Sequence, residues 1–515
     1  MQAVSRNQSY ANRMARGSAL VFASTFITMA LGYFLRLFLT RALTIEEYGL
    51  LYAVVTFVNF FALFRDLGLN QALVKFIPEW NVKKQVGKIR GAVGWIVRLQ
   101  AAIAGIAAVA IFLLAPWLAD AYFHTPGSAV LVQVMAGAFF VAVFGNAFHA
   151  AIQGSQRIKA WAFLQPMNNF LPLAFTVLLI ALGFSLFGAV AAYLGTAIVF
   201  GALAGLMLLR AFPGGHVNLT SGDKGQVVRF ALPVMLGFIG GMVLGATDTI
   251  VLTYFRSLRE VGLYQAALPT SQILWVVASA IGIVLFPMVS EMWARRDRRA
   301  LSAGISLLLR FSFILVLPFA LLMLAWPEFV LGLLFGQAYI AGTAALQILA
   351  LAAIAYTLWQ ICAIVLSGIG RPGLVTKIML AAAAFNLISN IALVQAFGMM
   401  GVAITTLSSF AIAFIASFIV LRRSVSLGLG AMAMIKALVS GLVMVAAIFA
   451  IKTVLVLNPW IEVAISLTGG IVLYFVLVIR LRAVSKADLD VLGKLSVPIP
   501  RFMFRIAKAV AGGRD

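Results

Sequence analysis

Residues 91–115 read GAVGWIVRLQAAIAGIAAVAIFLLA, an apolar run whose one charged side chain is Arg98. As an α-helix rising ~1.5 Å per residue, 25 residues reach about 37 Å, enough to cross the ~30 Å hydrocarbon core of a bilayer. The rest of the chain follows this example. Of its 515 residues 63% are hydrophobic and 10% charged, with a mean hydropathy of +1.08. Soluble domains hold about 45–50% apolar and about 25% charged residues. A water-facing enzyme cannot hide so much apolar surface, so the composition excludes that class and points to an all-α integral membrane protein.

Apolar windows bounded by charge, Gly or Pro fall at 17–40, 48–70, 91–115, 128–153, 160–183 and 187–210. After a polar gap at Gly214 to Lys224 they resume at 229–254, 261–289, 302–326, 343–368, 373–396 and 400–421, then at 430–456 and 460–480. This predicts about fourteen transmembrane helices. The first window is too long for the apolar core of a secretory signal and lacks a convincing cleavage site, so it is read as the first span. Lone Cys362 lies inside a span, which rules out a disulfide framework or a thiolate metal site.

Lys and Arg number 38 against 15 Asp and Glu, a formal charge of +23. The basic residues sit in short gaps between apolar runs, which reads as topology signal and contact with anionic membrane lipids rather than nucleic acid. With both termini on one side, that side holds about 29 of the 38, including Lys83, Lys84, Lys88, Arg90, Arg295, Arg296, Arg298 and Arg299. Positive charge is retained on the cytoplasmic side, so both ends are expected there, in a multi-pass protein of the cytoplasmic membrane.

The chain also matches itself. Glu47-Tyr-Gly-Leu-Leu-Tyr-Ala53 resembles Glu260-Val-Gly-Leu-Tyr-Gln-Ala266 at an offset of 213, Gly154-Ser-Gln-Arg157 resembles Gly368-Ile-Gly-Arg371 at 214, and Gly188-Ala-Val-Ala resembles Gly401-Val-Ala at 213. Three matches in order at nearly one offset, at equivalent span ends, indicate two repeats of six spans each. Six is even, so the repeats run parallel, an arrangement that supports alternating access. The expected organisation is a six-helix bundle over 1–212, a second over 213–424, two extra C-terminal helices over 425–482 and a basic cytoplasmic tail over 483–515. In that tail Arg501, Arg505 and Lys508 recur at helical spacing among Phe and Ile, which fits an interfacial segment.

The six-plus-six-plus-two pattern, the Glu46-Glu47-Tyr48-Gly49 turn, Asp66-Leu67-Gly68-Leu69 and Asp248-Thr-Ile-Val-Leu252 followed by Val261-Gly-Leu-Tyr-Gln-Ala266 together resemble the polysaccharide biosynthesis (Wzx-type) flippases. That family falls within the multidrug/oligosaccharidyl-lipid/polysaccharide exporter superfamily. The resemblance covers about residues 10 to 480. It implies translocation of a polyprenyl-diphosphate-linked oligosaccharide across the cytoplasmic membrane, with H+ or Na+ as a coupling ion. Within the superfamily, a lipid II flippase and a cation-coupled multidrug antiporter are the alternatives.

Charges at bilayer depth are costly and mark functional candidates. They are Arg36, Arg65, Asp66, Arg98, Asp248, Arg310 and Lys436. Arg36 and Asp248, 212 apart, stand at nearly equivalent places in the two repeats. A head-group contact and a coupling or charge-balancing role compete with a fixed salt bridge or snorkelling. Arg65 and Asp66, being adjacent, point about 100° apart on a helix, and pinning a helix end is the simpler role for both. Arg98 and Arg310, also 212 apart, serve either a diphosphate site at the inner mouth or headgroup snorkelling. Lys436 reads as snorkelling. The excess of Arg suits phosphate, which its planar fork grips in pairs, whereas a cation antiporter needs more carboxylates. Asn168, Asn169, Asn386, Asn390, Gln265, Gln272, Tyr356, Trp359 and Gln360 can bond sugars or neighbouring helices.

Catalytic chemistry is not expected. Glu46, Glu47, Asp120, Glu260, Glu328 and Glu462 are scattered over short external loops, His124, His149 and His216 lack metal-ligand spacing, and no Gly-rich loop ends in Lys-Ser/Thr. The expectation is a transporter without catalytic residues, metal or cofactor.

Overall fold

Two threonines fix where long helices begin. Thr44 Oγ1 accepts from the Glu47 N–H while the Glu47 carboxylate takes the Thr44 N–H, and Thr220 and Asp223 repeat the arrangement. Each box satisfies N–H groups that a helix start leaves bare. The structure, a computed structural model, describes residues 2–215, 217–425, 428, 430–454 and 459–484. His216 and the basic tail from residue 485, with Arg501, Arg505 and Lys508, lie outside the described residues, as do the side chains of Arg6, Arg13 and Arg16.

The helices are α1 (Gln2–Ala42), α2 (Ile45–Phe60), α3 (Ala62–Asp66), α4 (Leu69–Val82), α5 (Val86–Ala121), α6 (Ala129–Gly154), α7 (Ile158–Ala181), α8 (Ser185–Ala211), α9 (Ser221–Phe255) and α10 (Leu258–Gln272). They continue as α11 (Trp275–Ala294), α12 (Arg298–Ala325), α13 (Pro327–Phe335), α14 (Thr343–Gly368), α15 (Pro372–Ser424), α16 (Ala431–Val454) and α17 (Pro459–Arg480). No strand occurs among the described residues. Among the described residues, twelve helical segments are long and apolar enough to span a membrane. One of them, α15, has 53 residues and turns at Gly398, whose φ of 52° and ψ of −135° break the helix into two spans. The apolar stretch Ile465–Arg480 inside α17 supplies the last, so the pattern agrees with the fourteen windows. On α5, Ile106 is 75% exposed, Leu113 71% and Trp117 62%. Such a surface suits lipid, not water.

The second window is more divided than its apolarity indicates. Leu67 and Gly68 both take left-handed backbone angles, at φ 49° and 73°. The chain leaves α3 there and restarts as α4, whose Leu69, Leu73, Phe76, Ile77 and Trp80 are buried. The Asp66 carboxylate accepts from the Asn70 N–H at 3.0 Å, so a negative charge sits at the positive end of α4.

By their contacts the described residues fall into two compact units that meet in sequence at Gln265 and Ala266. In the first, Leu69, Phe76, Ile96, Ala151, Leu164, Phe200 and Ala204 form a core drawn from α4 to α8. In the second, Leu285, Val289, Leu309, Cys362, Val365 and Leu421 form one core, and Leu317, Met444, Ile448 and Tyr474 join α12 to α16 and α17. The Tyr474 hydroxyl donates to the Ile314 carbonyl at 2.9 Å.

The repeat is visible in local geometry. Arg157 Nη2 donates to the Ala211 carbonyl at 2.8 Å in the first unit, and Arg371 Nη1 donates to Ser424 Oγ at 2.9 Å in the second. Arg157 thereby satisfies a carbonyl at the end of α8, where carbonyls lack partners, whereas at the end of α15 the Ser424 carbonyl accepts from Arg298 Nη1 at 3.3 Å. Gln156 and Gly370, the residues before Arg157 and Arg371, both have positive φ. In the first unit α2 and the start of α10 meet reciprocally. A Cβ on Gly49 would collide with the Leu258 carbonyl, one on Gly262 would collide with the Ile45 carbonyl, and Glu46 pairs with Arg259 at 3.2 Å. Adding 213 turns the Gly49–Leu258 contact into the Gly262–Ile45 one, and Glu46 and Arg259 are themselves 213 apart, as expected of a local two-fold. In that register Arg36 corresponds to Thr249 and Asp248 to Leu35.

Candidate functional site

Arg36 projects from α1 into a ring of aromatic and amide groups. Its Nη1 donates to the Gln265 backbone carbonyl at 3.1 Å, to Gln265 Oε1 at 3.3 Å and to Tyr48 Oη at 3.4 Å. Its Cζ lies 4.1 Å from the centroid of Tyr52, whose ring is 4.8 Å from that of Tyr48. Tyr48 and Tyr52 are buried, four residues apart on one face of α2, and a guanidinium over such a face gains cation–π attraction. The Tyr48 hydroxyl donates to the Gln265 carbonyl at 3.3 Å, and Gln265 Nε2 donates to Thr249 Oγ1 at 2.6 Å, so the acceptors around Arg36 are themselves fixed.

No carboxylate pairs with Arg36 among the described residues. A half-buried guanidinium without a counter-charge is costly in low dielectric, and here only neutral dipoles and a π face offset that cost. Every protein hydrogen bond it makes leaves from Nη1. The edge formed by Nε and Nη2 is the fork that suits a phosphate or carboxylate, and it has no protein acceptor among the described residues. The arrangement can hold an anion.

Asp248 lies in the same unit, on α9, and is 2% exposed. The Tyr264 hydroxyl donates to its Oδ2 at 2.6 Å. Arg65 and Asp66 turn to different partners. Arg65 Nη1 donates to the Phe139 carbonyl at 3.0 Å with Cζ 4.8 Å from the Phe139 ring, whereas Asp66 Oδ1 accepts from Gln100 Nε2 at 3.1 Å. Arg65 borders a cavity of ≈180 Å³ inside the first bundle, with Asn59, Asn146, Asn168, Tyr193 and Thr196 as its polar lining. This second polar pocket carries a cation and no lining carboxylate. Of the other polar candidates, Asn169 donates to the Thr28 carbonyl at 2.7 Å and Asn390 to Asn386 Oδ1 at 3.1 Å, both helix-to-helix or within-helix bonds.

Arg98 and Arg310 share a local device. The Nε of each donates to a carbonyl one turn back, Gly94 at 3.1 Å and Ser306 at 3.4 Å. Arg98 is on an exposed stretch of α5 in the first unit, Arg310 on α12 in the second. The structure therefore brings Arg36 together with Gln265, and Arg65 together with Asn168, but sets Arg98 apart from both. Sequence reasoning did not identify Tyr48, Tyr52, Thr249 or Tyr264 as site residues. The four-residue spacing of the two tyrosines within Glu47–Ala53 was the available signal.

A family model described as "Polysaccharide biosynthesis protein" matches residues 14–293, and one described as MatE matches residues 233–392. "Uncharacterized membrane protein MJ1068" of Methanocaldococcus jannaschii is 30% identical over 79% of this chain and 83% of that protein. "Probable low-salt glycan biosynthesis flippase Agl15" of Haloferax volcanii is 27% identical over 46% of this chain and 50% of its own. Among solved structures, the lipid II flippase MurJ in an inward closed conformation superposes with a TM-score of 0.74 at 12% identity, covering 89% of this chain and 98% of that one. At that identity the likeness establishes the fold alone.

Proposed function

We propose that this chain, which belongs to the polysaccharide biosynthesis protein family, translocates a polyprenyl-diphosphate-linked oligosaccharide across the cytoplasmic membrane by alternating access. Membership in this family, the many apolar helices and the similarity to a glycan-biosynthesis flippase support a multi-pass flippase or transporter acting in glycan export. The observation that carries the finer reading is the Arg36 site: a half-buried guanidinium with no carboxylate partner and an open Nε/Nη2 edge. A diphosphate head group offers the oxygens such a fork takes in pairs. Tyr48 and Tyr52 hold the guanidinium in place, and Gln265 fixes its inner nitrogen, so the outer edge is presented without reorganisation.

Binding must not become trapping. Translocation requires the two access states to differ in affinity for the head group, and the modest number of contacts at Arg36 is consistent with release. Arg65 in the first-bundle pocket and Arg310 are secondary contacts in this reading. Asp248, held by Tyr264, is the residue proposed to couple H+ or Na+ or to balance charge. Both termini are proposed to be cytoplasmic, from the distribution of Lys and Arg.

The test is mass spectrometry of the lipid extract from a strain lacking the protein. Accumulation of a polyprenyl-diphosphate oligosaccharide, reversed by the wild-type chain and not by Arg36→Ala expressed at equal level, supports the reading. Accumulation of a peptide-bearing lipid instead would assign the lipid II role. Retention of organic cations without any lipid intermediate would assign the antiporter role and overturn the anion-site argument.

A further inference from the structure

Arg90, Gly94 and Arg98 stand four residues apart on α5, and so form one ridge of that helix with its middle member missing a side chain. The gap is real space. A Cβ placed on Gly94 would meet nothing within 4 Å, and the same holds for Gly214 and Gly215 across the groove. The groove measures ≈590 Å³ and is walled on its other side by Phe148, Leu208 and Leu209.

The charge of this groove is unbalanced. No Asp or Glu lines it, Arg90 has no hydrogen-bond or ion-pair partner among the described residues, and Arg98 bonds through Nε alone to the Gly94 carbonyl. Two arginines about 12 Å apart along the helix axis thus close a notch from both ends. Apolar walls continue from it over α6 and α8. Leu209 is 57% exposed, and the arginines lie on the side that the Lys and Arg count assigns to the cytoplasm. A basic pocket opening onto lipid at that level, with an apolar floor, matches the two halves of an anionic lipid.

We propose that this groove binds an anionic glycerophospholipid of the cytoplasmic leaflet, with its phosphodiester between Arg90 and Arg98 and an acyl chain along Phe148, Leu208 and Leu209. The bound lipid braces the connector between the repeats. That connector is already tied to α5 by the Val217 N–H donating to the Gly87 carbonyl at 2.9 Å and by the Lys88–Asp223 ion pair at 2.8 Å, and the headgroup adds a third tie. The site stands apart from the Arg36 anion site and does not depend on the transport reading.

Native mass spectrometry of the delipidated full chain tests it, with phosphatidylglycerol and phosphatidylcholine of identical acyl chains added separately. The wild type should retain phosphatidylglycerol in preference. The Arg90→Gln/Arg98→Gln variant should lose roughly 30-fold in affinity for its tightest-bound copy. Gly94→Leu, which fills the notch and keeps both charges, should lose that copy too. Equal binding of the two lipids, or wild-type retention of phosphatidylglycerol by both variants, would overturn the proposal. Displacement by inorganic phosphate would instead identify a free-phosphate site, and displacement by undecaprenyl diphosphate at equal concentration a port for the transported lipid. Either result would overturn it as well.

Discussion

Replacing Arg36 by Lys separates charge from geometry at the proposed anion site. Arg36 spends Nη1 on Gln265 and Tyr48 and leaves the Nε/Nη2 edge to a ligand. A lysine ammonium keeps the charge on a compact point with three donors and no fork. Turned toward Gln265 and Tyr48, it has at most one donor left for phosphate, where the guanidinium offers two. A hydrogen bond involving a charged group contributes about 1.5–3 kcal/mol, so Arg36→Lys should weaken diphosphate binding by roughly 10- to 150-fold. Cation–π attraction to Tyr52 is partly retained, so the fold should survive. The assay is equilibrium binding of undecaprenyl diphosphate to the purified chain in neutral-lipid nanodiscs, alongside thermal unfolding. Binding by Arg36→Lys within twofold of wild type, with the fold intact, would refute the forked-contact reasoning.

Three further outcomes follow from the geometry. Gly49→Ala places a methyl group against the Leu258 backbone carbonyl, a clash that neither backbone can easily relieve. Overpacking of this kind costs about 1–3 kcal/mol, so the melting temperature in detergent should fall, and an unchanged value would contradict the reciprocal contact. Asp248→Ala strips the Tyr264 hydroxyl of a buried acceptor, at a cost of about 1–3 kcal/mol; transport normalised to protein level by immunoblot should fall further than expression, and parallel loss of both would leave Asp248 a purely structural role. Arg157→Gln removes the bond to the Ala211 carbonyl at the end of α8, and Arg371→Gln removes the bond to Ser424 Oγ at the end of α15. Hydrogen exchange should speed up around residues 208–211 in the first variant and 421–424 in the second, and an effect in one alone would break the equivalence.

The spans were legible because an apolar run of more than about 20 residues has few other uses. What escaped was local. The 48–70 window is broken at Leu67 and Gly68 by two left-handed residues, and α4 alternates buried Leu73, Phe76 and Ile77 with Lys75 and Glu79, so neither shows in hydropathy. The repeat was legible from short matches, but its register is 213 by contact, which pairs Arg36 with Thr249 and not with Asp248. Arg36 stood out as a candidate because of the expense of a charge in lipid. Its cage did not, because Gln265 lies 229 residues away in the chain. Tyr48 and Tyr52 served in the sequence only as markers of the repeat, since an aromatic side chain's partner cannot be read from its own position. Arg98 and Arg310, also 212 apart, miss the 213 register by one residue as Arg36 and Asp248 do, although each bonds back to the preceding turn of its own helix; the glycine notch beside Arg98 is revealed by the structure alone.

The measurement closest to the central claim is translocation itself. The purified chain would be reconstituted into liposomes carrying a fluorescent short-chain polyprenyl-diphosphate oligosaccharide, with the label on each leaflet followed by a membrane-impermeant quencher. The account predicts that wild-type protein moves the labelled head group between leaflets and that Arg36→Ala, incorporated to the same level, does so at a small fraction of that rate. Equal translocation by the two proteins, or none by the wild type under any imposed proton or sodium gradient, would contradict it.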